Sequence, residues 1–242
     1  MIDILQSHLL IEQGFNNHGF TTGVNFSYDN GDQDSIVANQ FKNLKKQLNT
    51  ELPLVQVVQI HGRSFVDAAD KKILSPDWTA KPVEEGDSII CSNKDAFVAV
   101  RTADCAPVLI ACPDTGQVAA VHAGWKGLSK GIIKNTVKEL QNRGSLAINL
   151  IAAIGPCICE NCYEVDEDVA RRFPESSEPV KDRPGKFMLE LGNAVEASLI
   201  IAGLTSMNID RLKICTSCGN QNLFSYRASK GNCGRQLSFI GF

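Results

Sequence analysis

Short, nearly continuous apolar runs of strand length alternate along this chain with segments where apolar residues fall every three or four positions. Leu54 to Ile60 is a β-branched run ended by His61-Gly62, and Phe65 to Ala69 is a second, shorter run. Leu74 to Gly86, with Pro76, Trp78 and Pro82, is loop-like. Asp87 to Cys91 and Ala96 to Arg101 read as strands joined by a turn at Ser92-Asn93-Lys94-Asp95. Ile148 to Ile154, Leu212 to Cys215 and Leu237 to Ile240 read as further strands. Helical spacing sets Val37, Phe41, Leu44 and Leu48 on one face of Ile36 to Leu48, with Asp34 or Ser35 as N-cap. It sets Ile132, Ile133, Val137 and Leu140 on one face of Leu128 to Asn142, and Gly144 is the stop signal. Glu167 to Phe173 and Leu189 to Ala202 read as two more helices. Residues 1–24 read as a short strand or lead-in, and 25–35 and 174–186 as polar loops. Strands and helices mix without a strict βαβ rhythm, so the expected class is a mixed α/β sandwich. With no repeat, linker or composition break, residues 1–242 are expected to form a single domain.

The pattern makes one local geometric prediction. Pro113-Asp114-Thr115-Gly116 is a turn signal between the runs Pro107 to Cys112 and Gln117 to His122. If Cys112 pairs with Gln117, His122 falls opposite Pro107. Cys105 lies two residues beyond Pro107 and faces the same side, at a distance of roughly 7 Å along the strand. A thiol and an imidazole therefore meet at the open end of the hairpin, just before Gly124-Trp125-Lys126-Gly127 and the start of a helix.

Composition narrows the classes. The chain is 43% apolar and 21% charged, with a net charge of -3 and no basic run, which argues against a nucleic-acid partner. Met1 to Leu10 has neither the basic region nor the apolar core of a signal peptide, and no apolar run is long enough to span a membrane. The default expectation is the cytoplasm. Nine cysteines in such a chain point to reduced thiols or metal ligands before disulfides. His8, His18, His61 and His122 are the whole histidine supply. A blue-copper centre takes two of them, which leaves too few for the histidine-rich cluster of a multicopper oxidase.

The chemistry-bearing residues form several groups. His61, Cys105 and His122 each stand at the end of an apolar strand, His61 joining the pair by elimination. Two imidazoles and a thiolate make a three-ligand zinc set with an open fourth position, which activates water or polarises a substrate oxygen. The same residues also fit an exposed strand end and a buried cysteine, and the residues alone leave both readings open. Cys159–Cys162 and Cys215–Cys218 are C-x-x-C pairs, set wider apart than in a zinc ribbon, and read as incidental thiols or a second structural metal. Lys126 and Lys130 flank a helix start suited to phosphate or carboxylate. Asp104 and Glu164 are candidate general acids or bases, or structural carboxylates. Arg227 and Arg235 are candidate anion contacts, or plain surface arginines.

Together, Val58-Gln59-Ile60-His61-Gly62, Arg101-Thr102-Ala103-Asp104-Cys105-Ala106-Pro107 and Val121-His122-Ala123-Gly124-Trp125-Lys126-Gly127 form a recognisable set. Gly155-Pro156-Cys157-Ile158, Tyr163-Glu164-Val165, Cys215-Thr216 and Phe224-Ser225-Tyr226-Arg227 extend it. The chain resembles, over nearly its whole length, the bacterial YfiH-like family, also called laccase-domain or multicopper polyphenol oxidoreductase proteins. The resemblance implies a four-layer α-β-β-α sandwich related to the deamidase domain of cytotoxic necrotizing factors. It implies metal ligation by His61, Cys105 and His122, with zinc expected and copper as the alternative. It implies phosphorolysis of adenosine, inosine and methylthioadenosine, and adenosine deamination, with Arg101, Lys126 and Arg227 toward substrate or phosphate and Cys105, Asp104 and Glu164 in catalytic roles. Other activities attached to the family are polyphenol oxidation and peptidoglycan editing, the latter within reach of a cysteine hydrolase with Cys105 as nucleophile and His122 as base. A non-catalytic binding protein is the remaining class. Two departures reduce positive charge. Thr22 is followed by Gly23 and Val24 where the family usually has an arginine nearby, and Ala228 replaces an arginine often found after Ser-Tyr-Arg. Both favour deamination over phosphorolysis.

Overall fold

The computed structural model describes residues 1–28, 34–219 and 222–242. One sheet has the order β1 (Asp3–Leu5), β2 (His18–Thr22), β14 (Gln236–Ile240), β6 (Phe97–Thr102), β3 (Leu54–Val55). A second has the order β13 (Ile209–Arg211), β9 (Ile151–Ile154), β7 (Ala106–Ala111), β8 (Val118–Ala123), β5 (Ser88–Cys91), β4 (Phe65–Asp67). A small third sheet joins β10 (Glu164–Asp166), β12 (Lys186–Leu189) and β11 (Ser177–Pro179).

Side-chain alternation sorts the second sheet into two faces. Val108, Ile110, Ala119 and Val121 pack outward against α4 (Ile132–Asn142) and α6 (Leu191–Ile201). Leu109, Ala111, Val118 and Ala120 pack inward against Phe20, Val98, Val100 and Ile240 of the first sheet. The far face of the first sheet, with Phe97, Ala99, Leu237 and Phe239, is covered by Val37, Phe41 and Leu44 of α2 (Asp34–Gln47). The expected α-β-β-α sandwich is the observed architecture. Strands buried on both faces explain the near-continuous apolar runs in the sequence.

The central hairpin has the expected register: Cys112 N–H donates to Gln117 O, and Pro107 is paired with His122. Several elements differ from expectation. The turn at 92–95 does not close a hairpin, because β5 and β6 belong to different sheets and the chain crosses between layers there. Of Leu54 to Ile60 only the first two residues join a ladder. The rest peels away, touching Glu85 through an isolated bridge at Val58, and delivers His61 to the sheet end. The segment 128–142 is two helices, α3 (Trp125–Ser129) and α4, broken where Gly131 adopts a φ of 86° that other residues reach only under strain. The supposed 174–186 loop contributes β11 to the small sheet. The strand expected at 212–215 lies at 209–211 instead, and the lead-in holds α1 (His8–Glu12), capped by Ser7. The helix 167–173 shortens to α5 (Glu167–Ala170). Asp34 is the first residue of α2 rather than its cap, and residues 29–33 of the expected 25–35 loop lie outside the described residues. Among the described residues, no helix is long and apolar enough to cross a membrane.

Candidate metal centre

Inward alternation along β7 and β8 leads to one end of the inter-sheet layer, with His122 still inside β8 and Cys105 one residue before β7. Cys105 continues the Leu109–Pro107 row, and His122 continues the Val118–Ala120 row. The loop leaving β3 brings His61 to the same point. One donor atom from each of His61, Cys105 and His122 lies within 4.8 Å of the other two. The two imidazole rings stand edge to face with centroids 4.8 Å apart.

Asp87, which the sequence reading left out, organises this cluster. It is fully buried just before β5. Its Oδ1 accepts from His122 Nδ1 at 2.7 Å and from His61 N–H at 3.0 Å, and its Oδ2 accepts from Gly62 N–H at 2.6 Å. His122 N–H also donates to Asp87 O at 2.7 Å. One carboxylate therefore fixes the His61 loop and leaves His122 Nε2 turned to the cluster, as an outer carboxylate does for a ligating histidine. Burial alone would raise the Asp87 carboxyl, but the His122 bond and the amides of Gly62 and His61 hold it below its ordinary value.

Cys105 and His122 polarise one another. Burial opposes charge on the thiol, yet the His122 charge and hydrogen bonds from both imidazoles pull Cys105 down to about 6. Burial opposes charge on His122 as well, yet the Cys105 thiolate and the Asp87 carboxylate push it up to about 9. The pair favours a thiolate at neutral pH, the form that serves as ligand or nucleophile.

The donor set suits zinc: two nitrogens and one thiolate, converging, with no fourth protein ligand among the described residues. The backbone also leaves room for it. A Cβ on Gly124 would come within 2.8 Å of Cys105 Sγ and 3.2 Å of His61 Nδ1. His61 holds a φ of 55° and Asp104 a φ of 88°, conformations uncommon outside glycine that cluster at functional sites.

A cavity of about 560 Å³ opens over the three donors. Arg101, Lys126, Arg227 and Arg235 line it, with Tyr163 and Tyr226. The Arg227 guanidinium lies 5.2 Å from the Tyr163 ring centroid, and that of Arg235 lies 5.6 Å from the Tyr226 centroid. Arg227 Nη1 also donates to Glu164 O. Lys126 sits on the first turn of α3, whereas Lys130 is turned back to donate to His61 O at 3.0 Å.

The two candidate carboxylates are placed differently. Asp104 lines the cavity, but both its oxygens are engaged: Oδ1 accepts from Thr216 Oγ1 at 2.6 Å and Oδ2 from Arg227 N–H at 2.7 Å. Its geometry is that of a brace between chain segments. The Glu164 side chain is not brought to the cavity lining; it pairs with Arg183. Tyr163, its neighbour, points in instead.

A layered α/β sandwich with an imidazole–thiolate–imidazole centre under a cationic cavity defines the class. The chain belongs to the family described as multi-copper polyphenol oxidoreductase laccase, whose model matches residues 11–242. It is 36% identical over 186 residues to a purine nucleoside phosphorylase of Deinococcus radiodurans, covering 76% of this chain and 68% of that protein. It is 31% identical over 227 residues to adenosine deaminase RL5 of an unknown prokaryotic organism, covering 90% of this chain and 87% of that protein. The crystal structure of the Bacillus licheniformis protein YfiH superposes with a TM-score of 0.86 at 29% identity, covering 93% of this chain and 92% of that one.

Proposed function

We propose that this chain is a zinc-dependent purine nucleoside enzyme that phosphorolyses adenosine, inosine and methylthioadenosine and deaminates adenosine. The observation that carries the reading is the convergence of His61, Cys105 and His122 beneath a cavity of about 560 Å³ lined by cations and aromatic rings. That volume is in the range of small-molecule sites. Relatives named purine nucleoside phosphorylase and adenosine deaminase support the substrate class.

In this reading, His61, Cys105 and His122 hold the metal, and Asp87 keeps His122 in the ligating tautomer. Zinc held there supplies Lewis acidity, which lowers the pKa of water to about 7 or polarises a substrate oxygen. Tyr163 and Tyr226 offer ring faces to the purine. Arg101, Lys126 and Arg227 bind phosphate, and Arg235 adds a cation to the same cavity. Arg235 thereby offsets the charge missing at the two departures noted in the sequence, so phosphorolysis keeps an anion site. Asp104 acts as a positioning residue that ties the Arg227 backbone to the cavity wall. Copper would accept the same donors, but four histidines in the whole chain do not build a multicopper cluster.

The test is adenosine and inosine turnover, with and without inorganic phosphate, on zinc-quantified protein before and after chelation. Turnover that requires zinc supports the reading, and its dependence on phosphate separates phosphorolysis from deamination. No turnover of any purine nucleoside under either condition overturns it.

One observation favours a second reading. Cys105, His122 and Asp87 form a row of nucleophile, base and orienting carboxylate, with the thiol pulled down to about 6. A cysteine hydrolase acting on a peptidoglycan precursor would use that row without metal. It predicts activity that survives chelation and is destroyed by thiol alkylation.

A further inference from the structure

The geometry points to a second metal site, a closed tetrathiolate centre for a zinc-class divalent ion on Cys159, Cys162, Cys215 and Cys218. It is independent of the cavity chemistry proposed above. The four sulfurs lie within 4.8 Å of one another, although 56 residues separate Cys159 from Cys215 in the chain. β9 and β13 explain how. They are parallel neighbours, and an isolated parallel bridge between Cys157 and Cys215 extends their pairing past the strand ends. Each strand is followed by one C-x-x-C loop, so the two loops arrive side by side.

The spacing selects the ion. Four thiolates at a zinc–sulfur length of about 2.3 Å form a tetrahedron with edges of about 3.8 Å. The Cys159 and Cys218 sulfurs are 3.7 Å apart. A four-iron cluster holds its cysteine sulfurs much farther apart than this group allows. The separation is also too long for a disulfide bond between those two residues.

Backbone amides already point at one sulfur. Cys215 Sγ accepts from Cys159 N–H at 3.4 Å, Ser217 N–H at 3.3 Å and Cys218 N–H at 3.4 Å. Such amide–sulfur bonds orient a ligating thiolate and offset its charge. Loading the site exchanges protons for metal: one divalent ion enters, and up to four thiol protons leave. No electron is transferred.

The site also has a structural task. Thr216, within one loop, donates to Asp104 Oδ1, and Tyr163, immediately after the other, lines the cavity. Ile158, just before the first loop, donates its N–H to Asp104 O at 3.0 Å. A metal clip across Cys159, Cys162, Cys215 and Cys218 ties these three anchors together. Its role is positional, and it touches no substrate.

The test is metal analysis of the full chain purified from zinc-supplemented medium. The expected content is about two zinc ions per wild-type chain, about one in Cys159→Ser/Cys218→Ser and about one in His61→Ala/His122→Ala. The double serine variant should also melt at a lower temperature. Because that variant can fail to fold, two measurements on intact sites accompany it. Cobalt loaded into His61→Ala/His122→Ala should give the intense sulfur-to-metal absorption of a four-thiolate tetrahedral site. Thiol titration of denatured wild-type protein, without reductant, should find all nine cysteines free. A wild-type content of one zinc that Cys159→Ser/Cys218→Ser leaves unchanged overturns the proposal. A titration short by two or four thiols also overturns it, by showing disulfides in place of a metal.

Discussion

The two sulfur-bearing clusters differ in donors and in surroundings. The His61, Cys105 and His122 group has three donors of two kinds and opens on a cavity with four cationic side chains. The Cys159, Cys162, Cys215 and Cys218 group has four identical donors, with amides closing around one sulfur, and none of the four lines that cavity. Three ligands leave a position for chemistry, whereas four leave none. Both groups gather at one end of the second sheet, where the start of β7 meets the ends of β9 and β13, so what separates a reactive centre from a clip is the count of donors and access to substrate.

The largest expected effect breaks one side of this comparison alone. Cys105→Ala should reduce nucleoside turnover to below about one-hundredth of wild type and lower the zinc content by about one ion per chain. Metal analysis and a steady-state assay on the same preparation check both. Retention of full zinc with loss of activity would instead favour Cys105 as a nucleophile.

Asp87→Asn should weaken cavity-site zinc affinity by roughly 10- to 100-fold, because the amide no longer fixes His122 as the carboxylate does. Competition with a chelating dye reads this directly, and the tetrathiolate ion should remain bound. Gly124→Ala should weaken the same site by about tenfold, since a Cβ would crowd Cys105 Sγ at 2.8 Å and force the donors apart. The dye titration should again show the four-cysteine site unaffected.

The smallest effect uses the other buried histidine among the described residues, His18, as a contrast to His122. His18 is buried with its Nδ1 against Phe15 O at 2.6 Å and its Nε2 accepting from Ser7 N–H at 2.8 Å. Burial lowers its pKa, and the Phe15 carbonyl and Asp210 only partly oppose that. A folded value below the unfolded value of about 6.5 means that the unfolded chain binds the proton more readily. His18 therefore contributes stability above about pH 6.5 that is lost as pH falls below it. The melting temperature of zinc-loaded protein should drop between pH 7.5 and 5.5, and His18→Gln should flatten that drop.

Much of this organisation was readable from local pattern, and the remainder depends on contacts no local pattern carries. The Cys105–His122 meeting follows from a four-residue turn and period-two alternation, both contained in eighteen consecutive residues. His61 arrives from another sheet, so spacing alone could not place it. Asp87 was missed because its relation to His122 depends on β5 pairing with β8, two strands that are not consecutive in the chain. A buried acid at the start of an apolar run was the available signal. The turn at 92–95 was misread because strands buried on both faces look alike whether a turn closes a hairpin or crosses between sheets. The wide spacing of the C-x-x-C pairs argued against a shared site in the sequence. The parallel β9–β13 pairing removes that objection. Glu164 illustrates the reverse case: an acid within the Tyr163-Glu164-Val165 motif whose side chain turns to Arg183 while Tyr163 faces the cavity.

The most direct test of the central claim is a zinc titration of chelated protein, with adenosine turnover followed in phosphate buffer. The account predicts negligible turnover in the stripped enzyme, restored on adding zinc and saturating when the His61, Cys105 and His122 site is filled. Full turnover in protein shown by metal analysis to hold no zinc at that site would contradict it.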